Sequence, residues 1–401
     1  MRVGLVYAHA GPSGRRPHPG IGTHQHVARI AAELSNLGHD VRVYERRDDP
    51  DLPATTEMAG YRVVRVPVGP SARTGTGGLV RHVPAFGRWL AERWSRDWRP
   101  DVVHSHFWIG GLAAASAVGR TTIPVVQTFH SLGVEQLRHL GPGYSGPGER
   151  IPLERALSRA VDLAVAQSSE EVDDLTRMGL DRTAVAFVPA GVDTERFTPE
   201  GEAAPREPRR RRILSVGGLG PGHGQEDLIR AMRLVGDAEL VIAGGPPRAA
   251  LDNHAEARRL RELAQQTGVA EQVRLVGAVP HDQMASWYRS ADVVACTPRY
   301  APAGMVPLEA MACGVPVVGY SRGGVADTVV DTVTGRLVPA GDVRALGMTV
   351  RRLLADEAER FAYGHAAVDR VRCRYTWDRT AGALERLYER VQRRRRGSLE
   401  N

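Results

Sequence analysis

Apolar runs of strand length alternate with helical patterns along almost the whole chain, and the alternation stops once and restarts. Residues 2–7, 41–44, 101–104, 125–128 and 163–166 are short and apolar, as strands covered on both faces are. Residues 23–37 instead place Val27, Ile30, Ala31, Leu34 and Leu37 on one helical face, and Gly38 stops that pattern. Residues 168–179 have capping-box spacing at Ser168 and Glu171 and end at Gly179. The stretch "TPEGEAAPREPRRRR" after Phe197 has no periodicity and reads as a linker over 198–212. Strands at 213–216, 240–243, 273–276, 293–296 and 316–318 then alternate with helices at 226–234, 255–266, 282–289 and 306–312. Two such arrays predict an α/β protein of two doubly wound Rossmann-like domains facing across a cleft. The expected domains are 1–197 and 213–375, with ligands at the C-terminal ends of the strands.

Composition narrows the function classes. The chain has 401 residues, a net charge of +7 and no lysine, so all 53 basic residues are arginine. They are dispersed except at 209–212 and 393–396, runs expected to be solvated or to make weak anion contacts. Without a patterned basic face or aromatic platforms, nucleic acid is not an expected partner. No apolar run reaches the roughly 18–20 residues that span a membrane. The N-terminus reads as a buried strand and not as a signal peptide, so a cytoplasmic location is expected. Cys296, Cys313 and Cys373 are far apart, without a CxxC, and are expected to be buried free thiols.

Several stretches, taken in order, carry a resemblance. They are "PGIGTHQHVARIAAELSNLGHDVRVY", "PDVVHSHFWIGG", "PVVQTFHSLG", "FVPAGVDTERFTP", "ILSVGGLGPGHGQEDLIRAM", "LVGAVPHDQMASWYRSADVVACTP", "GMVPLEAMACGVPVVGYSRGG" and "YTWDRTAGALERLYERV". Together the chain resembles the family 4 glycosyltransferases of GT-B fold along nearly its whole length. The resemblance implies retaining transfer from a UDP- or GDP-sugar on the C-terminal domain to a small acceptor on the N-terminal domain. It also implies that a last helix, 376–395, returns to the N-terminal domain. No metal or other cofactor is expected, and the protein is expected to be a monomer or homodimer. The transition state would be oxocarbenium-like, with charge growing on the leaving diphosphate.

The same resemblance assigns donor roles residue by residue. Glu309 matches the second of two family glutamates, the one that binds ribose hydroxyls; a carboxylate stabilised by the helix dipole is the plainer reading. The first glutamate falls on Ala301. The arginine and lysine that grip the diphosphate fall on Gly218 and His223. What remains is "GGLGPGHG", in which Gly217, Gly218 and Gly224 are expected to turn backbone N–H groups toward phosphate. His223 is expected to add a donor, charged when phosphate raises its pKa. Gly304, Met305, Val306 and Gly323 complete the expected donor contacts. Arg299 and Arg322, in neighbouring loops, are expected to replace the missing cations, against the plainer reading of surface arginines.

On the acceptor side the resemblance points to Gly20 and Gly22, to His106 and Phe107, and to His130, which in the family lies by the anomeric centre. One of His104 and His106 is expected to line the cleft and the other to pack. An HxH spacing alone does not make a zinc site. The match is nearest the branch that transfers N-acetylglucosamine to inositol phosphate. There a tyrosine stands where this chain has Phe107, and a lysine follows the segment matching "VPVGP". A small polar natural-product or thiol-metabolite acceptor is therefore expected in place of inositol phosphate. A lysine-free chain excludes a pyridoxal-phosphate phosphorylase. A sugar-nucleotide epimerase-like enzyme and a non-catalytic nucleotide-sugar-binding protein remain as alternatives.

Overall fold

The computed structural model describes residues 1–10, 21–70, 75–119, 121–220, 222–300 and 303–400, so the expected site residue Gly20, and Ala301, lie outside the described residues. The chain forms two compact units. One comprises Met1–Leu137, Tyr144–Ala190 and Trp377–Asn401; the other comprises Arg138–Gly143 and Gly191–Thr376.

The strands of the first unit are β1 (Arg2–Ala10), β2 (Asp40–Arg46), β3 (Thr55–Glu57), β4 (Arg62–Val66), β5 (Val102–His106), β6 (Val125–Thr128), β7 (Leu163–Ala166) and β8 (Val185–Phe187). They form one sheet in the order β3-β4-β2-β1-β5-β6-β7-β8, parallel except for the β3–β4 edge pair. The order reverses between β1 and β5, which is where a doubly wound sheet opens a crevice. The helix Ile21–Asn36 buries Val27, Ile30, Ala31 and Leu34, whereas Leu37 falls past its end and is exposed. Gly38 follows at φ +88°, the left-handed conformation that closes a helix. Ser168 Oγ caps the helix Ser169–Arg177 by accepting from Glu171 N–H. The Glu171 carboxylate accepts from Gln167 N–H, one residue before the position a capping box uses. The helix Trp377–Glu400 belongs to this unit and buries Ala381, Leu384, Tyr388 and Val391 at three- and four-residue spacing.

The second unit has β9 (Arg211–Val216), β10 (Ala238–Ala243), β11 (Val273–Gly277), β12 (Val293–Cys296), β13 (Val317–Tyr320) and β14 (Gly335–Val338). All are parallel, in the order β11-β10-β9-β12-β13-β14, and the reversal falls between β9 and β12. Two apolar layers cover the two faces.

Three expectations need correction here. The second unit begins at Gly191, and Phe197 is buried in its core against Tyr288, with ring centroids 5.9 Å apart. The arginine run is a solvated linker end only in its first half, where Arg209 is exposed. Arg211 and Arg212 open β9, and Arg212 is fully buried. Its guanidinium donates to Glu239 at 2.6 Å, to Ser290 Oγ at 2.8 Å and to the Pro205 carbonyl at 2.9 Å. A buried cation persists only when paired in this way; charge counting along the sequence misses it because the partners lie 27 and 78 residues away. Cys296 and Cys313 are buried as expected, but Cys373 is exposed on the helix Glu357–Arg374. No helix among the described residues is long and apolar enough to cross a membrane.

Candidate active site

In the second unit the reversal point holds a cavity of about 260 Å³. Its walls come from the ends of β9 and β12 and from the start of the helix Met305–Ala312. Gly217, His223, Gly304, Met305 and Val306 line it as expected. Ser215, Thr297, Tyr300 and Val325 also line it, and the sequence reading missed them. The signal was available for Thr297 and Tyr300, which flank the expected Arg299 at the end of a predicted strand.

Glycine is required at this point because backbones meet. Gly224 has φ +73°, and a Cβ there would lie 1.8 Å from the Thr297 carbonyl oxygen. Thr297 Oγ1 donates to the Gly224 carbonyl at 3.1 Å, locking the two loops together. A Cβ on Gly304 would lie 2.5 Å from the Gly324 oxygen. The N-terminal ends of the helices Met305–Ala312 and Gly323–Thr328 therefore approach side by side, Gly323 included, with their positive dipole ends together. The amide cradle is smaller than expected, because Gly217 N–H donates to Ala243 and His223 N–H to Gly220.

His223 replaces side-chain bulk that the glycines lack. Its Nε2 lies 2.9 Å from where a Cβ on Gly218 would sit, and its Nδ1 3.2 Å from one on Gly217. The residue as a whole is exposed, yet desolvation of the imidazole lowers its pKa below the ordinary histidine value. In the free protein the shift is thus opposite to the one expected on binding phosphate.

Glu309 stands in the second turn of its helix and not in the first, so the helix-dipole reading fails. It is 8% exposed and does not line the cavity. Tyr288 Oη donates to Glu309 Oε2 at 2.7 Å. Burial raises the Glu309 pKa to about 7, against the opposing Tyr288 hydrogen bond and Arg196 charge. Arg299 and Arg322 are also outside the cavity wall. Arg322 occupies the N-cap position of the helix Gly323–Thr328 without a side-chain capping bond; its Nη1 donates to the Arg299 carbonyl at 3.2 Å and lies 3.1 Å from His139 Nδ1. The Arg299 side chain is exposed, while its N–H donates to the Gly222 carbonyl.

In the first unit the ends of β5, β6 and β7 bring imidazoles together. Both His104 and His106 are fully buried, so neither is the exposed one of the expected pair. His104 Nδ1 lies 2.7 Å from Tyr388 Oη and its Nε2 2.8 Å from Thr128 Oγ1, so both nitrogens are engaged. His106 Nδ1 lies 2.9 Å from His130 Nε2, and His130 Nδ1 2.9 Å from Gln167 Oε1. His26, on the helix that also carries Gly22, stands edge-on to His130 with ring centroids 5.1 Å apart. Burial, and then the neighbouring imidazoles, lower the pKa of His26 to about 3 and push His106 well down. The Phe107 ring lies 4.8 Å from that of His130. Phe107 and His130 have φ +58° and +60°, a conformation that bulky residues rarely adopt and that clusters at functional sites. His26, His106 and His130 offer ring nitrogens within 4.8 Å of one another. The His106–His130 hydrogen bond already occupies one lone pair of that set.

Two Rossmann-like units, each with candidate site residues at its strand ends, make up the two-domain α/β architecture of the GT-B fold. The chain matches the model of the group 1 glycosyl transferases over residues 199–370 and that of the glycosyl transferase 4-like domain over 21–191. It is 33% identical to a D-inositol 3-phosphate glycosyltransferase of Xylanimonas cellulosilytica, with 98% of each chain covered. It is 30% identical to one of Corynebacterium diphtheriae, over 97% of this chain and 94% of that protein. Among solved structures, sucrose-phosphate synthase of Thermosynechococcus elongatus superposes with a TM-score of 0.87 at 26% identity, covering 98% and 99% of the chains. A HepE protein of Anabaena solved with UDP-glucose shares the fold, with a TM-score of 0.68 at 16% identity over 100% and 99%. The chain belongs to the group 1 glycosyltransferases, in their family 4 branch.

Proposed function

We propose that the protein is a retaining, cytoplasmic glycosyltransferase that moves a sugar from a UDP- or GDP-sugar to a small polar acceptor. The cavity at the β9–β12 reversal, walled by a glycine loop and helix N-termini, carries this reading. Backbone dipoles and the His223 imidazole would face the diphosphate, and Arg299 offers an exposed guanidinium nearby. Such a field needs no metal or organic cofactor. Glu309 would hold ribose hydroxyls. The position of the family's first glutamate falls in sequence on an alanine, Ala301, which favours a deoxygenated or rearranged sugar. His130 would stand at the reacting sugar, with His106, Phe107, Gly20 and Gly22 on the acceptor side.

A second reading takes D-inositol 3-phosphate as the acceptor, as the names of the relatives suggest. Against it stands Phe107, which has no hydroxyl for a phosphate. Calorimetric titration with UDP and GDP, followed by a donor panel assayed with D-inositol 3-phosphate, aminocyclitols and thiols, separates these readings. Transfer to the inositol phosphate alone would replace the first reading by the second. Tight nucleotide binding without turnover of any donor would point to a binding protein, and donor isomerisation without transfer to an epimerase. In the active enzyme His130→Ala should lower kcat about a hundredfold with little change in nucleotide Kd.

A further inference from the structure

Three histidines of the first unit, His26, His130 and His106, are joined through Gln167 by a chain of hydrogen bonds that has a direction. Gln167 Nε2 lies 3.5 Å from His26 Nδ1, Gln167 Oε1 lies 2.9 Å from His130 Nδ1, and His130 Nε2 lies 2.9 Å from His106 Nδ1. A neutral imidazole carries a single N–H, so the chain runs one of two ways. In the first, His106 Nδ1–H donates to His130 Nε2, His130 Nδ1–H donates to the Gln167 carbonyl, and His106 Nε2 ends the chain as a bare lone pair. In the second, the amide is turned over, every proton moves to the other nitrogen, and His106 Nε2 ends the chain as a bare N–H. That atom is buried and has no hydrogen-bond partner among the described residues. A buried N–H without an acceptor is rarer than a buried acceptor without a donor. The first direction is therefore the stable one.

We infer that Gln167 is a positioning residue, whose carbonyl holds His130 as the Nδ1–H tautomer and turns the His130 Nε2 lone pair onto His106. The inference rests on the proposed place of His130 at the reacting sugar. Gln167 suits the task, because it is 3% exposed and its own backbone N–H is fixed by Glu171. His130 then meets the sugar as a fixed neutral ring and not as a proton carrier. The titratable groups that face it are His26 from the helix after β1, His104 and His106 from β5, and Glu171 through Gln167.

Nitrogen NMR of the full chain, labelled with ¹⁵N-histidine, reads the tautomer directly. The His130 signal is assigned by its loss in His130→Gln. At pH 7.5 the wild type should show N–H at Nδ1 and a bare Nε2; the reverse pattern would overturn the inference. Gln167→Glu keeps an acceptor, so it should retain Nδ1–H and raise the His130 pKa. Gln167→Met removes the acceptor, so the Nε2–H tautomer should appear and kcat should fall about tenfold at constant nucleotide Kd. A folded Gln167→Met protein with an unchanged His130 tautomer would also overturn it. The wild-type spectrum stands even if that variant does not fold. The tautomer is read with or without turnover, so this inference and the proposed reaction fail separately.

Discussion

The two strand-end sites occupy equivalent places in similar sheets and are built in opposite ways. In the first unit, imidazoles and an amide bond one another, and the histidines among them are almost wholly buried. In the second, glycines let backbones meet, and a cavity remains with a single imidazole in its wall. A preorganised polar cluster suits a site that must hold geometry during a reaction. A backbone-walled cavity suits a ligand whose charge is spread over many oxygens. The contrast teaches that the same topological switch point supplies only a location; the local chemistry is written by which positions lack side chains.

The largest effect should come from attacking that contrast at Gly224. Gly224→Ala combines a left-handed backbone with a Cβ 1.8 Å from the Thr297 oxygen. It should cost on the order of 3 kcal/mol in thermal or denaturant unfolding. Gly38→Ala, whose Cβ would meet open space at φ +88°, should cost only about 1 kcal/mol. Equal losses would show that the donor loop is looser than its contacts imply.

Glu309→Gln sharpens the comparison from the electrostatic side. The carboxyl pKa is about 7 in the folded chain, above its ordinary value, so folding binds a proton between the two. The stability this proton contributes is full below the ordinary carboxyl range and is lost as pH rises through about 7. Glu309→Gln keeps a neutral group there, so its stability relative to wild type should rise over that window. The upper bound is about 3 kcal/mol. Nucleotide affinity should move the other way, with the variant weaker by about 1.5–3 kcal/mol above pH 7.5, where wild type is ionised. A difference in stability that does not vary with pH would refute the buried-carboxyl account.

A smaller effect concerns the pair Gly218 and His223. Gly218→Arg restores a family cation, but its Cβ would meet the His223 ring, so the single variant should gain little diphosphate affinity. Combined with His223→Gly it should gain more than the sum of the two changes, by about 1 kcal/mol. Additive effects would place the ring elsewhere in solution. Smallest of all, His223→Ala should cost under about 1 kcal/mol in UDP binding at pH 7.5 and more at pH 5.5. Its pKa is lowered by burial, so the imidazole is neutral at the higher pH. An equal loss at both pH values would leave only a neutral hydrogen bond.

Much of this architecture is legible from pattern. The helix Ala255–Gln266 and the strands Val125–Thr128 and Leu163–Ala166 have the bounds that periodicity assigns, because apolar period and turn residues agree there. β3 escaped notice, since "TTE" on a sheet edge has no apolar signal. The glycine loop was visible as a composition, whereas the meeting of Gly224 with Thr297 joins residues 73 apart in sequence. Gln167 was invisible for the same reason: its meaning lies in three rings contributed by other elements. Local propensity announces elements; partners at long range must be seen.

The arginine-only composition has a consequence at alkaline pH. Arg212 with Glu239, Arg65 with Glu45 and Arg150 with Glu154 are buried ion pairs whose cation, unlike a lysine ammonium, does not deprotonate in the usual working range. Burial also holds Tyr7 and Tyr388 far above the ordinary phenol value and raises Tyr44 to about 12. A guanidinium is in general a far weaker acid than the lysine ammonium, which starts to shed its salt bridges near pH 10. The pairing of these buried arginines is thus buffered against base, and the charges that hold it stay in place past pH 10.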